Sequence, residues 1–178
     1  MRRLVDAERL ARFLRALGGE ATQDVRIYLT GGATAVAYGW RDSTIDVDLK
    51  IVPDSDSLLR ALPELKERLE INVELASPDD FIPELPGWQD RSPFVGTHGF
   101  VSVYHYDLYA QALAKIERGH AKDLEDAREM VARGLVRPDL LGSLFAGIEP
   151  SLYRYPAIDP ASFREAVEDF LRSASQAP

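Results

Sequence analysis

The chain has 178 residues, no cysteine and a formal net charge of −8 at pH 7. That length suits one domain able to bury a substantial core, and the lack of thiols excludes disulfides and thiolate or zinc–thiolate chemistry and fits a reduced cytoplasm. The acidic balance argues against a general nucleic-acid binder, and no run is long and apolar enough to make a membrane a partner.

From the N-terminus, Leu4, Leu10, Phe13, Leu14 and Leu17 recur at helical spacing and predict a helix over 6–17, closed by Gly18-Gly19. Arg2, Arg3, Arg9, Arg12 and Arg15 share that segment and read as its solvated face rather than as an anion-binding patch. Val25-Arg26-Ile27-Tyr28-Leu29 predicts a strand, Thr30-Gly31-Gly32 a sharp turn, and residues 33–38 a short helix stopped by Gly39. The next stretch alternates: Ile45, Val47, Leu49 and Ile51 take one parity, and Thr44, Asp46, Asp48 and Lys50 the other, as in a half-buried strand. A crossover helix over 55–69, kinked at Pro63, leads to a second alternating strand, with Ile71, Val73 and Leu75 on one side and Asn72 and Glu74 on the other. A proline-punctuated loop over 77–87 precedes strands at 94–95 and 100–106. Beyond Asp107 helices predominate, one of them over 121–133, with a break over 149–160 and a last helix over 161–173. These elements predict a mixed α/β fold, with residues 1–130 as the core and 131–178 as a helical C-terminal portion packed on it in one domain.

Two short stretches carry chemistry. A side-chain period of two sends Asp46 and Asp48 out of one face, with their Cα atoms roughly 6.5 Å apart. Like charges at that spacing repel, and Asp packs poorly on a pleated surface. A magnesium ion, which prefers oxygen ligands and takes one or two carboxylates together with substrate phosphates, would reverse the cost. Gly31 and Gly32 stand at a strand-to-helix junction, where backbone N–H groups of a first helical turn can receive a phosphate. If the strand bearing Glu74 neighbours the Asp strand, that carboxylate joins the same face, either completing a second metal site or acting as a base. Lys115 sits beside the helical stripe of Leu108, Ala112, Leu113 and Ile116, and a lysine near a triphosphate stabilises charge on the leaving pyrophosphate. Lys122 and Asp126 are spaced i, i+4 and would stabilise their helix by about 0.2–0.5 kcal/mol. His98, His105 and His120 are scattered and read as structural. Trp40, between Gly39 and Arg41, reads as a buried aromatic at a helix end.

The succession of strand, Gly31-Gly32, short helix, Tyr38-Gly39-Trp40-Arg41 and Ser43-Thr44-Ile45-Asp46-Val47-Asp48-Leu49 resembles the nucleotidyltransferases of the DNA polymerase beta superfamily. Within it, the chain is most similar to the AbiEii and MenT type of toxin–antitoxin and abortive-infection systems, over roughly residues 25–130. Arg41 and Thr44 match the positions before the acids, Lys115 the helical lysine, and Lys122-Asp123-Leu124-Glu125-Asp126 the later Lys/Arg-Asp-x-x-Asp segment. Gly32 departs from the pattern, since many members have serine there. The resemblance implies a nucleotidyltransferase fold, a mixed sheet flanked by helices. It implies transfer of a nucleoside monophosphate from a triphosphate, with two magnesium ions on Asp46 and Asp48 and Glu74 as a third acid. The triphosphate would meet Gly31, Gly32, Arg41, Thr44 and Lys115, and one of Asp123 and Asp126 would share the function. The implied acceptor is a transfer-RNA end, with a protein or small molecule left open by the acidic surface, and a cognate antitoxin is an implied partner. Two rival readings are a nucleotide-binding module that has lost turnover and a structural domain whose acids are surface decoration.

Overall fold

The computed structural model describes residues 3–176, so Arg2 of the N-terminal basic run lies outside the described residues. The described chain packs as two compact units. One comprises the residues up to Ser77 together with Ser92–Tyr106; the other comprises Pro78–Arg91 together with the residues from Asp107 onward.

The first unit is built on β1 (Val25–Thr30), β2 (Asp46–Val52), β3 (Asn72–Leu75), β4 (Phe94–His98) and β5 (Val101–His105), with helices α1 (Ala7–Glu20), α2 (Gly31–Tyr38) and α3 (Asp56–Arg68). The five strands form one sheet in the order β3-β2-β1-β5-β4. Pairing is antiparallel for β1–β2 and β4–β5 and parallel for β1–β5 and β2–β3, a mixed sheet. Alternation drives its assembly: Val47 and Leu49 on β2, Ile27 and Leu29 on β1, and Val101 and Val103 on β5 turn into one aliphatic cluster. The apolar stripes of α1 (Leu10, Phe13, Leu14, Leu17) and α3 (Leu58, Leu62, Leu65) cover it. Each of these side chains contributes about 1.5–3 kcal/mol on burial. The carboxylates of β2 therefore stand on the opposite face.

Several expectations need correcting. Gly18-Gly19 does not end α1, which continues to Glu20 and is capped by Ala21. Gly18 instead permits a close approach, because a methyl group there would come within 2.5 Å of the His98 carbonyl oxygen in the β4–β5 hairpin. Ile45 and Leu75 do not join the core: they are 67% and 54% exposed, Ile45 lying just before β2 begins and Leu75 ending the edge strand β3. The helix of α3 continues through Pro63. Arg12 pairs with Glu8 on its own helix at 2.9 Å, as on a solvated face, whereas Arg9 is half-buried and reaches out of α1 to donate to the Leu69 carbonyl at 2.5 Å, capping the end of α3.

The second unit is helical, with α4 (Leu108–Arg118), α5 (Ala121–Ala132), α6 (Pro138–Ile148) and α7 (Pro160–Gln176) and short 3₁₀ turns at Pro78–Asp80 and Glu149–Arg154. Phe145 and Phe163 meet edge to face at 4.9 Å between α6 and α7. Asp107 caps α4 by accepting from the Tyr109 N–H at 3.0 Å. Its fully buried carboxylate also receives Arg91 at 2.6 Å. Burial pushes the Asp107 carboxyl up, and Arg91 works against that rise.

Candidate active site

The site grows from the end of β1. Thr30 lies opposite Asp48 in the antiparallel register, and the chain then turns directly into α2, so Gly31 and Gly32 are the first residues of the helix rather than a turn ahead of it. Gly31 has φ +59°, and a methyl group on it would come within 2.7 Å of Asp48 Oδ2. One on Gly32 would come within 2.0 Å of Thr44 Oγ1 and 2.7 Å of Thr44 Cβ. Both glycines are required by contact: the diglycine turn rests on the acid strand and its approach. Thr30 makes no side-chain cap to the helix, so the backbone donors of this first turn are not closed off by their own N-cap side chain.

Thr44 is fixed by a two-way backbone pairing with Val5, at 2.8 and 2.9 Å. Its hydroxyl donates to the Asp46 carbonyl at 3.1 Å. That hydroxyl fills the space a serine side chain at position 32 would need, which gives the departure at Gly32 a steric reason.

Asp46 and Asp48 are half-buried on one face of β2. The strands β2 and β3 are neighbours, with Asp46 opposite Asn72 and Asp48 opposite Glu74. In a parallel pair, residues directly opposite share a face, so Glu74 stands on the acid-bearing face of the sheet. The Asn72 amide, to which the sequence reading gave no role, donates to Asp46 Oδ1 at 2.5 Å and to Glu74 Oε1 at 3.3 Å. Its parity beside Glu74 was the signal available for it. Glu74 itself is exposed.

Behind the turn, α2 is anchored by a polar and aromatic stack. Gly39 closes the helix at φ 80°, Trp40 stacks on Tyr38 at 5.5 Å, and Tyr38 stacks on His105 at 4.5 Å. The Arg41 backbone N–H returns to the Ala35 carbonyl at 3.3 Å. The Thr34 hydroxyl donates to the Leu29 carbonyl at 3.2 Å and is hydrogen-bonded to His105 Nδ1 at 3.1 Å. Burial lowers the His105 pKa from 6.5 to about 4, so the ring is neutral at pH 7.

Lys115, Asp123 and Asp126 come together in the second unit. The Lys115 ammonium lies 2.6 Å from Asp126 Oδ2 and 3.3 Å from Asp123 Oδ1, and Arg118 reaches Asp123 at 3.4 Å. Lys115, expected beside the apolar stripe, is only 7% exposed. Asp126 thus turns inward to α4 rather than serving only an i, i+4 pair on its own helix.

Over residues 7–170 the chain matches the family described as nucleotidyltransferase of unknown function (DUF6036). The chain belongs to this nucleotidyltransferase family. No curated protein and no solved structure matches it. The family's description gives the class of chemistry and leaves substrate and acceptor unspecified.

Nucleotidyl transfer implies a divalent cation, and the donor set can be tested for it. Asp46 and Asp48 offer hard oxygens on one face, and Gly31 leaves room at Asp48 Oδ2. Among the described residues no group of three or more His, Cys, Asp or Glu side chains is arranged to hold a metal ion. The residues therefore fit magnesium shared between two carboxylates and a substrate phosphate, its usual mode, and not a cage closed by protein alone.

Proposed function

We propose that the protein is a magnesium-dependent nucleotidyltransferase that moves a nucleoside monophosphate from a nucleoside triphosphate to an acceptor hydroxyl. The observation that carries this reading is the contact between the diglycine start of α2 and the acid strand, with Gly31 against Asp48 and Gly32 against Thr44. A phosphate received by the first turn of α2 lies beside the carboxylates, so both halves of the chemistry share one place. Magnesium held by Asp46 and Asp48 would neutralise triphosphate charge and lower the pKa of the attacking hydroxyl.

The remaining roles belong to the chain's own residues. Thr44 ties the acid strand to its approach, and Asn72 orients the Asp46 carboxylate from the neighbouring strand. Glu74, opposite Asp48 and open to solvent, takes the proton from the acceptor hydroxyl. Arg41 adds positive charge for the triphosphate. The role of Lys115 at the triphosphate rests on the resemblance alone, since its ammonium is already shared by Asp123 and Asp126. A transfer-RNA end as acceptor, and a toxin–antitoxin setting with a cognate antitoxin, are supported by the likeness of the motifs to the AbiEii and MenT type.

The test is incubation with each ribonucleoside triphosphate, magnesium and total RNA, with Asp46→Asn as control. Magnesium-dependent label transfer with pyrophosphate release, lost in the variant, is the expected result. Triphosphate binding without release would instead identify a binding module that has lost turnover, and absence of both would overturn the reading.

A further inference from the structure

The face of the sheet that bears the acids continues into an aromatic and basic row. Two residues along β2 from Asp48 comes Lys50, and the register runs from Lys50 to Tyr28 on β1, Tyr104 on β5 and Phe94 on β4. Residues directly opposite share a face, so these four side chains line up beside the Asp48–Thr30 pair, with Tyr28 buried and Lys50 and Tyr104 half-buried. Tyr28 and Tyr104 stack at 5.4 Å with 26° between planes, and Phe94 meets Tyr104 edge-on at 5.4 Å. The Arg26 guanidinium lies 5.9 Å from the centre of the Tyr104 ring. Phe94 is 61% exposed, on an edge strand where nothing in the fold requires a large apolar ring.

We propose that this row is the platform for a single-stranded nucleic-acid acceptor, whose bases stack on Phe94 and Tyr104 and whose phosphodiesters meet Arg26 and Lys50. The proposal rests on the nucleotidyltransferase reading and names its acceptor class from the protein side. An exposed Phe94 ring and a half-buried Tyr104 ring beside cations suit a flexible single strand, because every base has a face to stack and every link a charge. On a chain of net charge −8, a guanidinium and an ammonium gathered on the acid-bearing face complement a polyanion that the remaining surface repels. In-line displacement also puts the acceptor opposite the leaving pyrophosphate. Pyrophosphate at the start of α2 leaves the acceptor on the side toward which β1 runs back from Thr30 to Arg26. By strand rise and spacing, Phe94 lies about 16 Å from Asp48, within reach of nucleotides that precede a reacting hydroxyl.

The full-length chain and its Arg26→Ala/Phe94→Ala double variant can be compared by anisotropy with a labelled single-stranded RNA 12-mer, in magnesium. Calorimetric titration with a non-hydrolysable triphosphate runs in parallel. Both positions are exposed, so the melting temperature should be retained. The expected result is a loss of oligonucleotide affinity of about tenfold or more, weaker binding of the same RNA as a duplex, and unchanged triphosphate binding. Oligonucleotide affinity equal in wild type and variant, or a wild type that binds triphosphate but no single strand, overturns the platform and leaves the nucleotidyltransferase reading standing. A wild type that binds no triphosphate overturns that underlying reading and the platform with it.

Discussion

The protein carries two pairs of aspartates whose surroundings differ in kind. Asp123 and Asp126, 7% and 2% exposed, close around the buried ammonium of Lys115. Asp46 and Asp48 stand half-buried on a strand face, where Asp46 is met by a neutral amide and the adjacent strand adds a further acid, Glu74. A buried cluster of the first kind has its charge balanced from within, and losing one partner leaves an ion stranded at low dielectric. The second kind leaves oxygens within reach of solvent, where a cation and a phosphate can arrive. Residue type alone would rank the four aspartates equally; burial and the identity of the donor separate a holding cluster from a reacting one.

Substitutions can break or sharpen that contrast. The largest effect on stability belongs to Asp126→Ala, which removes the closer partner of a buried lysine and should cost about 3–5 kcal/mol in denaturant unfolding. A variant losing well under 1 kcal/mol would mean that Asp123 alone balances Lys115. Asp46→Asn reverses the pattern: nucleotide transfer should fall by about 10²-fold or more, the scale of removing one preorganised charge-stabilising group, while the melting temperature holds in the absence of magnesium. Gly32→Ala lies between, since its methyl must displace the Thr44 side chain; overpacking of this sort costs about 1–3 kcal/mol, and a loss of triphosphate affinity should accompany it. Asn72→Ala leaves every carboxylate in place and removes only the amide that orients Asp46, so magnesium affinity, read by titration with triphosphate present, should weaken by about 10–100-fold.

A further effect is a slope with pH. The His105 ring has a folded pKa of about 4 against 6.5 for the unfolded chain, so between those values the unfolded state binds a proton that the folded state refuses. The contribution is whole above pH 6.5 and is lost as pH falls toward 4, at no more than about 1.4 kcal/mol per pH unit. His105→Gln should flatten that part of the stability profile; an unchanged slope would place its origin in other groups.

The parity of β2 is a local property, and it put Asp46 and Asp48 on one face before any fold was known. The same holds for the stop at Gly39, where a few neighbouring residues decide the geometry. Glu74 was different: its parity was readable, but its place opposite Asp48 depends on which strand β3 joins, a long-range pairing no single segment encodes. The Asn72 amide was invisible as a partner for the same reason. Lys115 was read beside an apolar stripe, and its burial follows from α5 laying Asp123 and Asp126 over α4. Gly18 was misread because a glycine that ends a helix and one that admits a neighbouring backbone look alike until the neighbour, here His98, is in place.

The narrow gap between the start of α2 and the approach to β2 has a genetic consequence. It admits a single small hydroxyl, and in this chain that hydroxyl is supplied from position 44 while position 32 stays bare. A relative that places serine at 32 must surrender bulk at 44, so the two sites should trade alleles in tandem. The paired exchange Gly32→Ser with Thr44→Gly, which also removes the Thr44 Cβ lying 2.7 Å from a methyl on Gly32, should then be tolerated where Gly32→Ser alone is not.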